Sequence, residues 1–137
     1  MNDKPLPLLE SISAVFGVAI VTLLAAIPSA GAAKEESTER VLQDHLCQVR
    51  TAVRTLIDSG ETVPTTATEL EAVLLDKYLT EIPVNPINDQ STIRISGTAF
   101  AELKPNGTAG WLYAPIDRRV VPDLPTRDQD GNPFLSY

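Results

Sequence analysis

Residues 6–33 read LPLLESISAVFGVAIVTLLAAIPSAGAA, and a single charge, Glu10, interrupts them. From Ser11 to Ala33 the run is uncharged. As a helix rising about 1.5 Å per residue it reaches roughly 35 Å, enough for the hydrocarbon core of a bilayer. No turn cluster separates it from the charged segment that begins at Lys34. The chain is therefore expected to begin in a membrane and to leave it as a continuous helix.

Working outward, Pro28 predicts a kink, because proline removes one helical hydrogen bond and crowds the preceding turn. The pattern then resumes. Leu42, Leu46, Val49, Val53, Leu56 and Ile57 recur at helical spacing, while Glu39, Arg40, Asp44, Gln48, Arg50 and Arg54 occupy most of the remaining surface. Ser59-Gly60, with Pro64 soon after, marks the end, since glycine adopts the left-handed conformation that closes a helix. One long helix over residues 6–58 is the simplest interpretation.

A second, short helix is predicted behind Thr66-x-x-Glu69, which has the form of a capping box and precedes an apolar stripe of Leu70, Val73, Leu74 and Tyr78. It is expected to lie against the first. Pro83 and Pro86 then impose an extended loop, because each also disfavours helix at the residue before it. Residues 91–96 (STIRIS) alternate as a half-buried strand does. Asn106-Gly107 marks a tight turn, residues 110–114 (GWLYA) a second strand, and residues 119–121 (RVV) a third after a turn at residues 116–118. These elements predict an α+β fold: a small antiparallel sheet with the amphipathic half of the long helix covering one face. Residues 123–137 are polar and turn-rich, and an outer loop is expected there.

Charge and composition narrow the function. From Lys34 onward, ten lysines and arginines against sixteen aspartates and glutamates leave a net charge of −6. A chain so acidic offers no basic face for phosphates, so no nucleic-acid partner is expected. Cys47 is the only cysteine and cannot form an intrachain disulfide. For the first 33 residues three readings stand. One is a secretory signal cut after Ala32, given the small-x-small form of residues 30–32, although Asp3 and Glu10 make a poor positive n-region. The second is a plain anchor, with Glu10 at the headgroup level. The third is an anchor whose acid has an ionic partner in an assembly.

The residues resemble a known family. Glu10 at the head of an apolar helix, Pro28, and the order helix, Pro-rich loop and small sheet resemble type IV pilin-like proteins. The likeness is greatest to the major pseudopilin of type II secretion systems. Residues 78–88 (YLTEIPVNPIN) are similar to that family's segment leading into its sheet, and residues 110–113 (GWLY) to its Gly-Trp-x-Tyr strand. Residues 130–134 (DGNPF) with Tyr137 resemble the ending of some divergent bacterial members.

The resemblance implies a non-enzymatic subunit of a homo-oligomeric helical filament that supports protein export across the outer envelope. It implies a single-pass protein of the bacterial inner membrane, its C-terminal domain in the periplasm or outside the cell. Lipid would surround the helix before an assembly platform extracts it. Glu10 would neutralise the terminal amine of a neighbouring subunit, an economical use of a carboxylate in an apolar filament core. Counting back from Glu10 places cleavage by the prepilin peptidase between Pro5 and Leu6, followed by amino-methylation. Here Pro5 stands where the family's leader ends in glycine. The implied organisation is a leader-like segment over residues 1–5, a transmembrane or filament-core half-helix over 6–33, and a pilin-like domain over 34–137. The alternative is a small secreted or tethered binding domain released by the cut after Ala32.

Catalytic chemistry finds no constellation. His45 and Cys47 are two residues apart on a helix, about 200° around its axis, so they do not face each other. They read as a helix-surface histidine and a small core cysteine, and Trp111 and Tyr113 as sheet packing. Asp128-x-Asp130-Gly131-Asn132 has carboxylates alternating before a glycine, as calcium loops do. It lacks the bidentate glutamate of an EF-hand, and family members often hold calcium near this point with a different spacing. A solvated turn with no cofactor is the expectation, with Asp128 and Asp130 as weak calcium candidates.

Overall fold

The computed structural model describes residues 30–137. Its elements are α1 (Ala30–Asp58), α2 (Ala67–Lys77), β1 (Ile93–Ile95), β2 (Trp111–Ala114) and β3 (Arg119–Pro122), with 3₁₀ turns at Phe100–Glu102 and Phe134–Ser136. The class is α+β, a long helix and a short one against a three-stranded sheet ordered β1-β2-β3.

The apolar spacing of α1 produces its packing. Leu42, Leu46, Val49, Val53 and Leu56 are all buried, with Ala52 widening the stripe toward the sheet. The helix crosses the 33/34 division without a break and ends at Asp58, followed by Gly60 at a φ of 77°. A side chain there would meet the steric penalty that glycine escapes. In α2 the Thr66 hydroxyl accepts from the Glu69 amide at 3.4 Å, satisfying one of the amides a helix start leaves free. Leu70 and Leu74 then join the α1 residues in one core, with Val73 and Tyr78 packed at its margin.

The fully antiparallel sheet expected from residues 91–121 is corrected by the structure. β2 and β3 do pair antiparallel across a turn in which the Arg118 amide donates to the Pro115 carbonyl at 3.2 Å. β1 and β2, however, pair parallel, with Ile93 opposite Trp111. Gly107 does turn the chain, at a φ of 77°, but inside a crossover over residues 96–110 instead of a hairpin. That connection exceeds the dozen or so residues a parallel pairing requires.

Burial explains the arrangement. Parallel pairing is favoured where both faces of a strand are covered. Ile93, Trp111, Tyr113 and Val120 face the helices, whereas Leu112, Ala114 and Val121 form a second cluster with Leu103 of the crossover. Every residue of β2 is consequently buried. Both edge strands are also engaged by helical side chains. Glu71 of α2 accepts from the Ile93 amide, and Arg50 of α1 donates to the Val120 carbonyl at 2.8 Å. Groups that would otherwise template pairing with another chain are thereby occupied.

Residues 123–137 do not simply wrap the outside, as expected from their polarity. Asp123 and Leu124 begin the segment inside the protein, and Phe134 is buried near its end. The Phe134 ring meets Tyr137 edge-on at 5.1 Å.

Candidate functional site

The assembly residue Glu10, the cleavage pair Pro5 and Leu6, and the kink at Pro28 lie outside the described residues. No helix among the described residues is long and apolar enough to cross a membrane. What the structure does describe is the helix into which that segment leads, and the polar groups arranged around it.

The α1 residues singled out for chemistry separate. His45 is half-buried, its Nδ1 2.6 Å from the Val84 carbonyl, so it holds the Pro-rich loop onto the helix. Cys47, expected in the core, is exposed. One residue beyond Leu46 is about 100° around the axis, which takes it off the buried stripe. Trp111 and Tyr113 pack in the sheet core, the indole N–H donating to the Pro83 carbonyl at 2.8 Å. That contact satisfies the one polar atom of a ring otherwise surrounded by apolar neighbours.

Asp128 is engaged within its own loop. Its carboxylate accepts from the Asn132 amide at 2.7 Å, from the Asn132 side chain at 3.3 Å and from the Tyr137 hydroxyl at 3.0 Å. Burial is the largest single influence and raises its pKa, but the donors together outweigh it and hold the carboxyl below the ordinary value. Tyr137 is shifted the other way, its phenol raised by burial and by the neighbouring Asp128 and Glu39. Asp130 is exposed. Among the described residues no three His, Cys, Asp or Glu side chains converge as a metal set.

Two polar clusters escaped the sequence reading. In the first, Asp123 is fully buried and accepts from Arg94 Nη2 at 2.7 Å and Nε at 3.2 Å. It also accepts from the Asn106 amide at 2.9 Å and the Ala109 amide at 3.1 Å. Burial alone would raise the carboxyl's pKa. The Arg94 guanidinium and the two amides prevail and lower it. One carboxylate thus joins β1, the crossover and the end of β3. Beside it, buried Asn85 donates to the Gly110 carbonyl at 2.9 Å, and Asn88 to the Ala109 carbonyl at 2.9 Å. Gly110 is required there, since a Cβ would lie 2.2 Å from the Gln90 carbonyl oxygen. The Ile93-Arg94-Ile95 alternation and the Pro122-Asp123 pair carry no local signal of this pairing, because its partners are 29 residues apart.

The second cluster is basic. Arg50, Arg54, Arg118 and Arg119 line a cleft of about 480 Å³ between the C-terminal half of α1 and the β2–β3 turn. Arg50, expected on the solvent side of α1, is instead half-buried and also donates to the Tyr137 carbonyl. Its pKa is lowered by burial and by the like charge of Arg119. The Arg119 guanidinium lies over the Phe100 ring at 4.0 Å, which fixes its direction. Exposed Ile116 stands at the tip of the same turn.

Compared with protein-family models, curated proteins and solved structures, the chain finds no match.

Proposed function

We propose that the chain is a type IV pilin-like subunit of the kind that builds the pseudopilus of a type II secretion system. The observation that supports this is the division of α1. Its C-terminal half carries the core, which begins at Leu42, while residues 33–41 are exposed or only half-covered. None of the nine residues 33–41 contributes a buried side chain to that core, and a helical segment so short is marginal by itself in water. This one leads directly from the uncharged run that holds Glu10. A helix that leaves its own domain and continues into an apolar segment suits a filament spine, with lipid around that segment before assembly. Glu10 would then set axial register by pairing with a neighbour's amine, and the sheet and its loops would form the filament's outer surface.

Mass spectrometry of the native amino terminus, with electron microscopy of the same preparation, tests the proposal. A chain starting at Leu6, or an intact Met1, together with filaments is the expected result. Glu10→Ala should abolish filaments and leave the melting of the globular part unchanged; filaments at the normal level would remove the register role. A second reading, a secreted or tethered binding domain, draws on the same core boundary. A chain cut after Ala32 would retain every buried side chain from Leu42 onward. A native start at Ala33 would favour that reading and defeat the filament.

A further inference from the structure

We propose that the groove between the first turns of α1 and the Pro86-Ile87 loop rests on the phospholipid headgroup layer of the membrane into which α1 leads, with Ile87 as its apolar contact. This rests on the reading above that the uncharged run lies in a bilayer before assembly.

The position of the groove along α1 points to this partner. Ser11 to Ala33 is uncharged. As a helix that run reaches roughly 35 Å, against about 30 Å of hydrocarbon, so the hydrocarbon ends close to Ala33. Headgroups add about 5–7 Å on each side, or about four further helical residues. Gly31, Lys34 and Glu35 fall within or beside that interval. Together with Pro86, Ile87 and Arg127 they line a cavity of about 570 Å³. The fold thus brings a loop and an arginine that are distant in sequence to the level at which the uncharged run ends.

A single exposed isoleucine means little, since folded surfaces carry many apolar atoms. Ile87, 37% exposed, differs in being held outward. Its amide donates to the buried Asn85 side chain at 3.0 Å, and Asn85 donates in turn to the Gly110 carbonyl at 2.9 Å. The Pro83 carbonyl is held by Trp111, and the Val84 carbonyl lies 2.6 Å from His45 Nδ1. A loop so fastened has no freedom to tuck Ile87 inside. The charges beside it suit a zwitterionic phospholipid. Lys34 and Arg127 offer cations for phosphate, Arg127 being aligned by the Gly131 carbonyl at 2.6 Å, and long basic side chains readily reach the headgroup level. Glu35 offers the opposite sign to a headgroup amine. Glu39 and Asp128, also in the groove, are engaged by the Gln129 amide and by Asn132 and Tyr137. Because groove and anchor belong to one chain, the lipid is present at high effective concentration and a weak contact suffices.

The test uses the full-length chain reconstituted in phosphatidylcholine vesicles, with Cys47→Ala removing the native thiol. A fluorophore is attached at Ile87→Cys, at Gln129→Cys in the same groove, or at Ile116→Cys. Ile116 stands in the β2–β3 turn, whose Arg118 shares a cleft with Arg54 and Asp58 at the other end of α1. Quenching by a headgroup spin-labelled lipid should be several-fold stronger at positions 87 and 129 than at 116. Ile87→Glu should then remove most of the quenching at 129 with an unchanged thermal melt. Quenching at 87 as weak as at 116, in protein that floats with the vesicles, overturns the proposal and leaves the membrane reading standing. Undiminished quenching at 129 in Ile87→Glu also overturns it, because the tether alone would then account for the proximity. Protection of position 87 that arises only in filaments gives the groove to a second copy and overturns the lipid contact. Failure of the wild-type chain to float with vesicles defeats the membrane reading and this proposal with it.

Discussion

Removing the Asp123 charge by Asp123→Asn tests what holds the crossover in place. The amide keeps the shape of the side chain but replaces one acceptor oxygen by a donor. Arg94 loses its charged partner, and either the Ala109 amide or the Asn106 amide faces a group that cannot accept. A charge-assisted hydrogen bond is worth about 1.5–3 kcal/mol, and a buried amide left unsatisfied costs about 1–3 kcal/mol. Some rearrangement will recover part of this, so a loss of ~3 kcal/mol at neutral pH is the expectation, read from urea unfolding with an unchanged denaturant slope. The pH dependence follows from the sign of the shift. The folded-state pKa lies below the ordinary 3.8, so near that pH the unfolded chain binds more protons and stability rises with pH. The contribution is fully present above 3.8 and is lost as pH falls through the lower, folded value. The gap between wild type and Asp123→Asn should therefore narrow as pH falls below 3.8 and through the lower, folded-state value. A neutral-pH cost within ~0.5 kcal/mol, the range of ordinary surface substitutions, would refute this account of the crossover. So would a gap unaffected by acid.

Gly110→Ala should cost ~3 kcal/mol or more, or prevent folding, because the added carbon meets backbone that cannot rotate aside. Gly97→Ala, with open space at the same atom, should melt like wild type in the same thermal scan. Leu46→Ala should cost about 2–5 kcal/mol by opening a cavity on the buried face of α1, whereas Cys47→Ala one residue away should stay within about 0.5 kcal/mol. Equal melting temperatures for those two variants would contradict the assigned helix face. Calorimetric titration with calcium should give no heat and no thermal shift, since Asp128 already serves Asn132 and Tyr137; saturable binding lost in Asp128→Asn would restore the metal reading.

Some of this architecture is written locally. The face of α1, its end at Gly60, the Thr66 cap of α2 and the turn between β2 and β3 each depend on residues within one or two turns of one another. Apolar spacing, capping and turn chemistry act over just that range. The positions that resisted reading depend on distant partners. Arg50 looks like any polar residue on a helix surface until β3 and Tyr137 arrive beside it. Cys47 looks like a core residue from its chemistry, and only its angle to the packed stripe makes it exposed.

By itself, the sequence determined the α+β class, the two helices with their buried faces, the three strands, and an uncharged run leading into α1. Tertiary structure alone decided that β1 runs parallel to β2, that the crossover covers the second face of the sheet, and that Asp123 joins the two. It also gathered Arg50, Arg54, Arg118 and Arg119 from two elements into one cleft. The physical reason is that strand direction carries no periodic signature. An isolated strand of alternating residues suits either direction, and the choice falls to the burial of both faces and to a carboxylate that finds its donors across the fold.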